Sequence, residues 1–196
     1  MKQYIDKSMS YKQYVNLLDK LMAEGKTTGS NQSEDYLNYA KLNLARTHRL
    51  NKTATLTAEL KEQLKKVKLP CFFLVLTEGW CGDAAQNIPT MHLIEEECKD
   101  IELKLIFRDE NLELIDKYLT NGGRSIPKLI CLSKVSLNEV FTWGPRPEAV
   151  QQTMHELKER NAQLAEKAEV IHKWYAEDKT RSLQKELREL IEKYLI

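Results

Sequence analysis

This sequence lacks the long apolar run that a membrane-spanning helix requires. No stretch approaches the ~20 residues needed, and residues 1–7 lack the apolar centre of a secretion signal. It also lacks an excess of either charge. Thirty Lys and Arg face 29 Asp and Glu, a formal net charge of +1, so no broad pull toward nucleic acid or a membrane surface is visible. Its four cysteines, Cys71, Cys81, Cys98 and Cys131, contain no C-x-x-C pair and no zinc-ligand spacing. His48, His92, His155 and His172 are scattered, and no phosphate loop, serine-nucleophile signature, repeat or low-complexity tract is present. These absences point to a soluble, cytoplasmic protein with reduced cysteines, no metal and no cofactor.

The 196 residues, 42% of them hydrophobic, suit one compact domain with helical additions or two small lobes. Residues 1–66 read as a helical extension. Tyr11, Val15, Leu18 and Met22 recur at helix spacing and stop at Gly25. After a polar loop, Ser33 is placed to cap a helix carrying Leu37, Ala40 and Leu44. A third helix carries Leu60, Leu64 and Val67 before Pro70, with Lys61, Lys65, Lys66 and Lys68 as its wet face.

The pattern changes at residue 71. Residues 71–76 form a continuous apolar run, as expected of a central strand covered on both faces. Ile101, Leu103, Leu105 and Phe107 alternate with polar residues as in a half-covered strand. Leu112, Ile115 and Leu119 fit a helix ending at residues 121–123, and strands over 128–133 and 140–143 fit a hairpin. The order is strand, helix, strand, helix, strand, strand, helix over a core at 67–150. A C-terminal helical extension, 151–196, follows. From Pro147 to residue 177 one helix of ~46 Å is expected to overhang the sheet. Val150, Met154, Leu157, Asn161, Leu164, Ala168, Ile171 and Tyr175 form its coiled-coil-like seam. That seam is assigned to packing against residues 10–66 in a monomer, with a helical-arm dimer as the alternative. A break is expected at residues 178–180.

Cys81 stands where a buried strand gives way to a helix. Unpaired N–H groups at a helix start stabilise a thiolate, so this position predicts a lowered thiol pKa. Trp80 would shield one side of the sulfur and leave it reachable. Asp83 would oppose the effect of the helix end.

The run Trp80-Cys81-Gly82-Asp83 resembles the active-site loop of thioredoxins. Pro89 lies eight residues after Cys81, where that family kinks its helix. Ser125-Ile126-Pro127 resembles the cis-proline loop, and Trp143-Gly144-Pro145 closes the last strand near the family's glycine. The resemblance covers roughly residues 60–155. It is closest to bacterial thioredoxin-family proteins with a CGD-type loop and helical extensions at both ends. It implies an α/β, thioredoxin-like mixed sheet sandwiched by helices.

The resemblance also implies roles. Cys81 is the attacking thiolate, and Trp80, Gly82, Asp83, Ile126 and Pro127 hold substrate; Arg124 is a candidate partner for the thiolate or for an anionic substrate. Two residues depart from the pattern: Ala84 replaces the resolving cysteine, and Val75 stands where many relatives bury an acid. The expectation is therefore a single-cysteine thiol-disulfide protein whose partner is a protein or a low-molecular-weight thiol or disulfide, resolved by an external thiol. The alternative is a non-catalytic binding module using the groove and helical arms. An iron-sulfur-binding monothiol glutaredoxin is disfavoured by the Trp80 loop.

Overall fold

A computed structural model describes residues 1–196, with Leu164 described by its backbone alone. In chain order the elements are α1 (Lys2–Lys7), α2 (Tyr11–Ala23), α3 (Glu34–Thr53), α4 (Ala58–Leu64), β1 (Cys71–Thr77), α5 (Gly82–Glu97) and β2 (Ile101–Phe107). There follow α6 (Leu112–Ile115), β3 (Lys128–Ser133), β4 (Glu139–Trp143), α7 (Glu148–Glu159), α8 (Leu164–Asp178) and α9 (Arg181–Tyr194).

The four strands form one mixed sheet in the order β2-β1-β3-β4. β1 runs parallel to β2, with Val75 opposite Leu105, and antiparallel to β3, with Val75 opposite Leu129. β3 pairs antiparallel with β4. The apolar run of β1 is explained by its central place. Phe73, Leu74, Val75 and Leu76 are all fully buried, with a covering layer on each side of the sheet. The outer edge of β2 is bridged by Met9, whose N–H and C=O both bond to Leu105 at 2.8 Å.

The arms join this core. One continuous buried cluster runs from Tyr11, Tyr14 and Leu18 of α2 through the sheet to Leu183, Leu187 and Ile191 of α9. Gln184 of α9 fixes that contact, accepting from Thr57 N–H at 2.7 Å and donating to the Thr55 carbonyl at 3.0 Å. Ser33 is the N-cap residue of α3, and Gly25 follows α2 with φ +68°.

Two expected helices are different. The expected helix beyond Leu112 ends at Ile115; its buried residues are Leu114 and Ile115, while Leu119 is exposed. The long C-terminal helix is broken into α7 and α8. Asn161 takes a left-handed conformation (φ +54°), which Asn tolerates better than most residues, and the chain turns back on itself. Asn161 is therefore an exposed turn residue and not a seam position. Val150, Leu157, Ala162, Ile171 and Tyr175 pack together in a small cluster of their own, so the seam joins α7 to α8. The Leu164 position of that seam lies outside the described side chains. The break before α9 falls at Lys179 and Thr180, both left-handed.

Candidate active-site cleft

β1 delivers the chain to the site through the turn at Glu78, Gly79 and Trp80, and Cys81 is the N-cap residue of α5. Side chains from the N-terminal extension hold this turn. Thr28 Oγ1 accepts from Gly79 N–H at 2.8 Å, and Asn43 Nδ2 donates to the Trp80 carbonyl at 2.8 Å. The Trp80 indole lies 5.1 Å from the Tyr36 ring and carries the Arg108 guanidinium 4.9 Å from its centroid. Glu78 is buried beneath the turn, its Oε1 accepting from Asp109 N–H at 2.9 Å, and burial raises its pKa.

The thiol itself is covered. Cys81 is 8% exposed, and its Sγ donates to the Ile126 carbonyl at 3.3 Å. Burial first, and the negative charge of Asp83 second, push its pKa up to about 12. The N–H groups of Ala84 and Asp83 and the charge of Arg146 act in the opposite direction, but burial outweighs them. The expected lowering of the thiol pKa is thus reversed: the helix start does stabilise a thiolate, but less than burial opposes one.

Asp83 is held by residues far away in sequence. Arg146 donates to its Oδ2 through Nε at 3.0 Å and again through Nη2, forming an ion pair. Tyr175 Oη donates to its Oδ1 at 2.8 Å, and Asn87 Nδ2 donates to Tyr175 Oη at 3.1 Å. Burial would lower the pKa of Arg146, yet the adjacent carboxylate holds it above its usual value. The same network latches α8 onto the first turn of α5, beside Cys81.

The Ile126 carbonyl lies against the Cys81 thiol, and a cis peptide bond joins Ile126 to Pro127. Arg124 does not reach the thiol. Its Nε and Nη2 donate to the two carboxylate oxygens of Asp116 at 2.6 and 2.9 Å, a bidentate pair on the exposed rim. Arg146 is the arginine that faces the Cys81 environment. Cys71, Cys98 and Cys131 are free and buried; Cys131 pairs across the sheet with Phe73 and lies beside Cys71. Ala84 is buried directly after the loop.

An open cleft of about 840 Å³ extends from this site. The Trp80–Asp83 turn and the 124–126 loop line one part, and α3, α7 and α8, with Gln86, Arg108 and Arg146, line the rest. The α3 contribution is Tyr36, Tyr39, Asn43 and Arg46, spaced three, four and three residues apart on one helical face. That spacing was legible in the sequence, but polar and aromatic residues on this stripe give no apolar signal. Arg146 carries no sequence signal of its own and Tyr175 reads only as a seam position, because only tertiary folding brings them to Asp83. Among the described residues no cluster of His, Cys, Asp and Glu is arranged to hold a metal, and no helix is long and apolar enough to cross a membrane.

A sequence model of the family described as Thioredoxin matches residues 29–164, more than half of the chain. The chain belongs to the thioredoxin family. The match begins before α3 and ends at the start of α8, so it takes in the Cys81 loop, the Pro127 loop and most of the cleft. Two solved structures share this thioredoxin-like architecture over nearly their whole length. One is a protein of unknown function, PA1234, from Pseudomonas aeruginosa, with TM-score 0.64 and 17% identity over 96% of this chain and 95% of that one. The other is an HIV epitope-scaffold, with TM-score 0.55 and 16% identity over 94% of this chain and 98% of that one. At these identities the likeness is one of fold. No curated protein matches the sequence.

Proposed function

We propose that this thioredoxin-family protein works by holding a ligand in the cleft beside Cys81, with the cysteine forming part of the wall. The observation that carries this reading is the condition of the thiol. It is buried, bonded to the Ile126 carbonyl, and kept protonated at neutral pH by burial and by Asp83. A thiol is a nucleophile only as its thiolate. Ala84 adds to the case, since a mixed disulfide on Cys81 would have no neighbouring thiol to resolve it.

A second reading rests on the placement of Cys81 Sγ against the Pro127 loop. If α8 lifts from Asp83, the thiolate can attack a disulfide, forming a new S–S bond to Cys81 and expelling the other half as a thiolate. An external thiol would then release the product. Trp80, Gly82, Asp83, Ile126 and Pro127 would line the substrate path in that reading.

Mass spectrometry after incubation with oxidised glutathione at neutral pH separates the two. The ligand-holding reading expects no adduct on folded wild-type protein and a Cys81 adduct once the chain is denatured. A rapid stoichiometric adduct on the folded protein, absent from Cys81→Ser, would establish the single-cysteine reading instead.

A further inference from the structure

The cleft is much more basic than the protein that contains it. Its walls carry Arg46, Arg108, Arg124, Arg146, Lys158 and Lys167 against one carboxylate, Asp83, although the chain as a whole is almost neutral. Three of these cations are already engaged: Arg108 with Asp109, Arg124 with Asp116 and Arg146 with Asp83. Among the described residues no carboxylate pairs with Arg46, Lys158 or Lys167.

Arg46 is the most informative of the three. It is half-buried on the inner face of α3, and its Nη1 donates to Asn43 Oδ1 at 2.9 Å. A Cβ placed on Gly82 would lie 3.6 Å from that Nη1, so the guanidinium stands beside the start of α5. Burial and the nearby Arg49 disfavour its charged form, Asp83 favours it without pairing with it, and the charge of an anion in the cleft would add to that favour. A half-buried arginine without a carboxylate partner is costly unless a ligand completes it. Apolar surface faces the same space: Tyr36 and Trp80 on one side, Met154 and Ile171 on the other.

We infer that the cleft binds a small organic anion, its acidic head at Arg46 and Lys167 and its apolar body between Trp80 and Ile171. The volume falls within the range of small-molecule sites, and the combination of apolar walls with a few directed polar groups is what such sites share. This deepens the ligand-holding reading by naming a ligand class.

The test compares two dyes of one skeleton: 8-anilinonaphthalene-1-sulfonate, an anion, and N-phenyl-1-naphthylamine, which lacks the sulfonate. Fluorescence and calorimetric titration of the full chain should give one sulfonate per chain, bound at least tenfold more tightly than the neutral dye. A charge-assisted hydrogen bond is worth about 1.5–3 kcal/mol, or roughly 10- to 100-fold in affinity, so Arg46→Gln should weaken the sulfonate by about that factor. It should leave the neutral dye unchanged. Lys41→Gln, on the exposed face of the same helix, should change neither, and Ala168→Trp should weaken both by filling the cleft.

Equal affinity for the two dyes, or an Arg46→Gln variant that is folded by circular dichroism and binds the sulfonate unchanged, would overturn the inference. So would displacement of the sulfonate by a hexaglutamate peptide at lower concentration than the dye, which would make the cleft a peptide site. A glutathione adduct on native Cys81 together with selective sulfonate binding would overturn the ligand-holding reading and keep the anion site. Absence of both would do the reverse.

Discussion

The sharpest consequence of the structure is that Cys81 should be a slow nucleophile despite its position at a helix start. Raising its pKa from 9.0 to about 12 lowers the thiolate fraction at pH 8 about a thousandfold. The more basic thiolate is intrinsically more reactive, and a Brønsted slope of about 0.4–0.5 returns roughly half of that loss on a logarithmic scale. The net expectation is alkylation of Cys81 about 30- to 60-fold slower than of an unstructured cysteine, before any steric shielding of the buried sulfur is counted. The assay is iodoacetamide labelling between pH 7 and 10, read at the Cys81 peptide by mass spectrometry, with denatured protein as reference. The rate should still be climbing at pH 10. Asp83→Asn supplies the sign test: it removes the charge that opposes the thiolate and leaves Arg146 unpaired beside it, so labelling should accelerate by about tenfold or more. A folded-state rate equal to the reference and levelling off with it near pH 10, or an Asp83→Asn variant slower than wild type, would refute the reasoning.

Other expectations follow from single contacts. Gly144 has φ +110°, and a side chain there would run into the Pro127 carbonyl. Gly144→Ala should therefore cost about 3 kcal/mol or more in urea unfolding. Leu187 of α9 is fully buried in the main cluster, and Leu187→Ala should cost about 2–5 kcal/mol by the same measurement. Burial and the charge of Arg46 lower the pKa of His172 below 6.5, while Asp83 acts to raise it. As pH falls below 6.5 the unfolded chain takes up a proton that the folded chain resists, so this residue's stabilising contribution is complete at neutral pH and lost on acidification. His172→Asn should flatten the acid limb of stability measured against pH. For Cys81 the sign is opposite: above pH 9 the unfolded thiol ionises first and stability falls. Cys81→Ser should reduce that fall between pH 9 and 10.

What could be read from sequence follows physical locality. The strands were legible because burial on two faces, or on one, writes itself as continuous or alternating apolar residues; β2 and β3 span 101–107 and 128–133 as the pattern implies. The Cys81 loop and the Pro127 loop were legible as local motifs in a fixed order. The α7–α8 turn was not, since Val150, Leu157, Ile171 and Tyr175 keep helical spacing whether the helix runs straight or doubles back. Only the left-handed Asn161 distinguishes the two. Arg124 and Arg146 illustrate the same limit. The nearer arginine in sequence was assigned to the thiol, yet Asp116 lies within reach of Arg124 and Asp83 within reach of Arg146. Which carboxylate claims which arginine is decided by folding.

Asp83 accounts for the most consequential of these differences. The first turn of a helix carries a partial positive charge that can favour one anion strongly. Two groups compete for it at the start of α5: the Cys81 thiol and the Asp83 carboxylate. A carboxylate ionises far more readily than a thiol, and here it gains Arg146 and Tyr175 as partners, each bonded to a different oxygen. With the Asp83 carboxylate fixed there, its charge acts against a second anion at Cys81, and burial of the sulfur acts against it more strongly still. Burial first, and then this one acidic residue two positions after the cysteine, turn a location that would acidify a thiol into one that keeps it neutral. The same latch leaves Arg46, beside the start of α5, outside any ion pair among the described residues, so the positive charge still available to an incoming ligand lies on Arg46 of α3, Lys158 of α7 and Lys167 of α8 and not at the thiol.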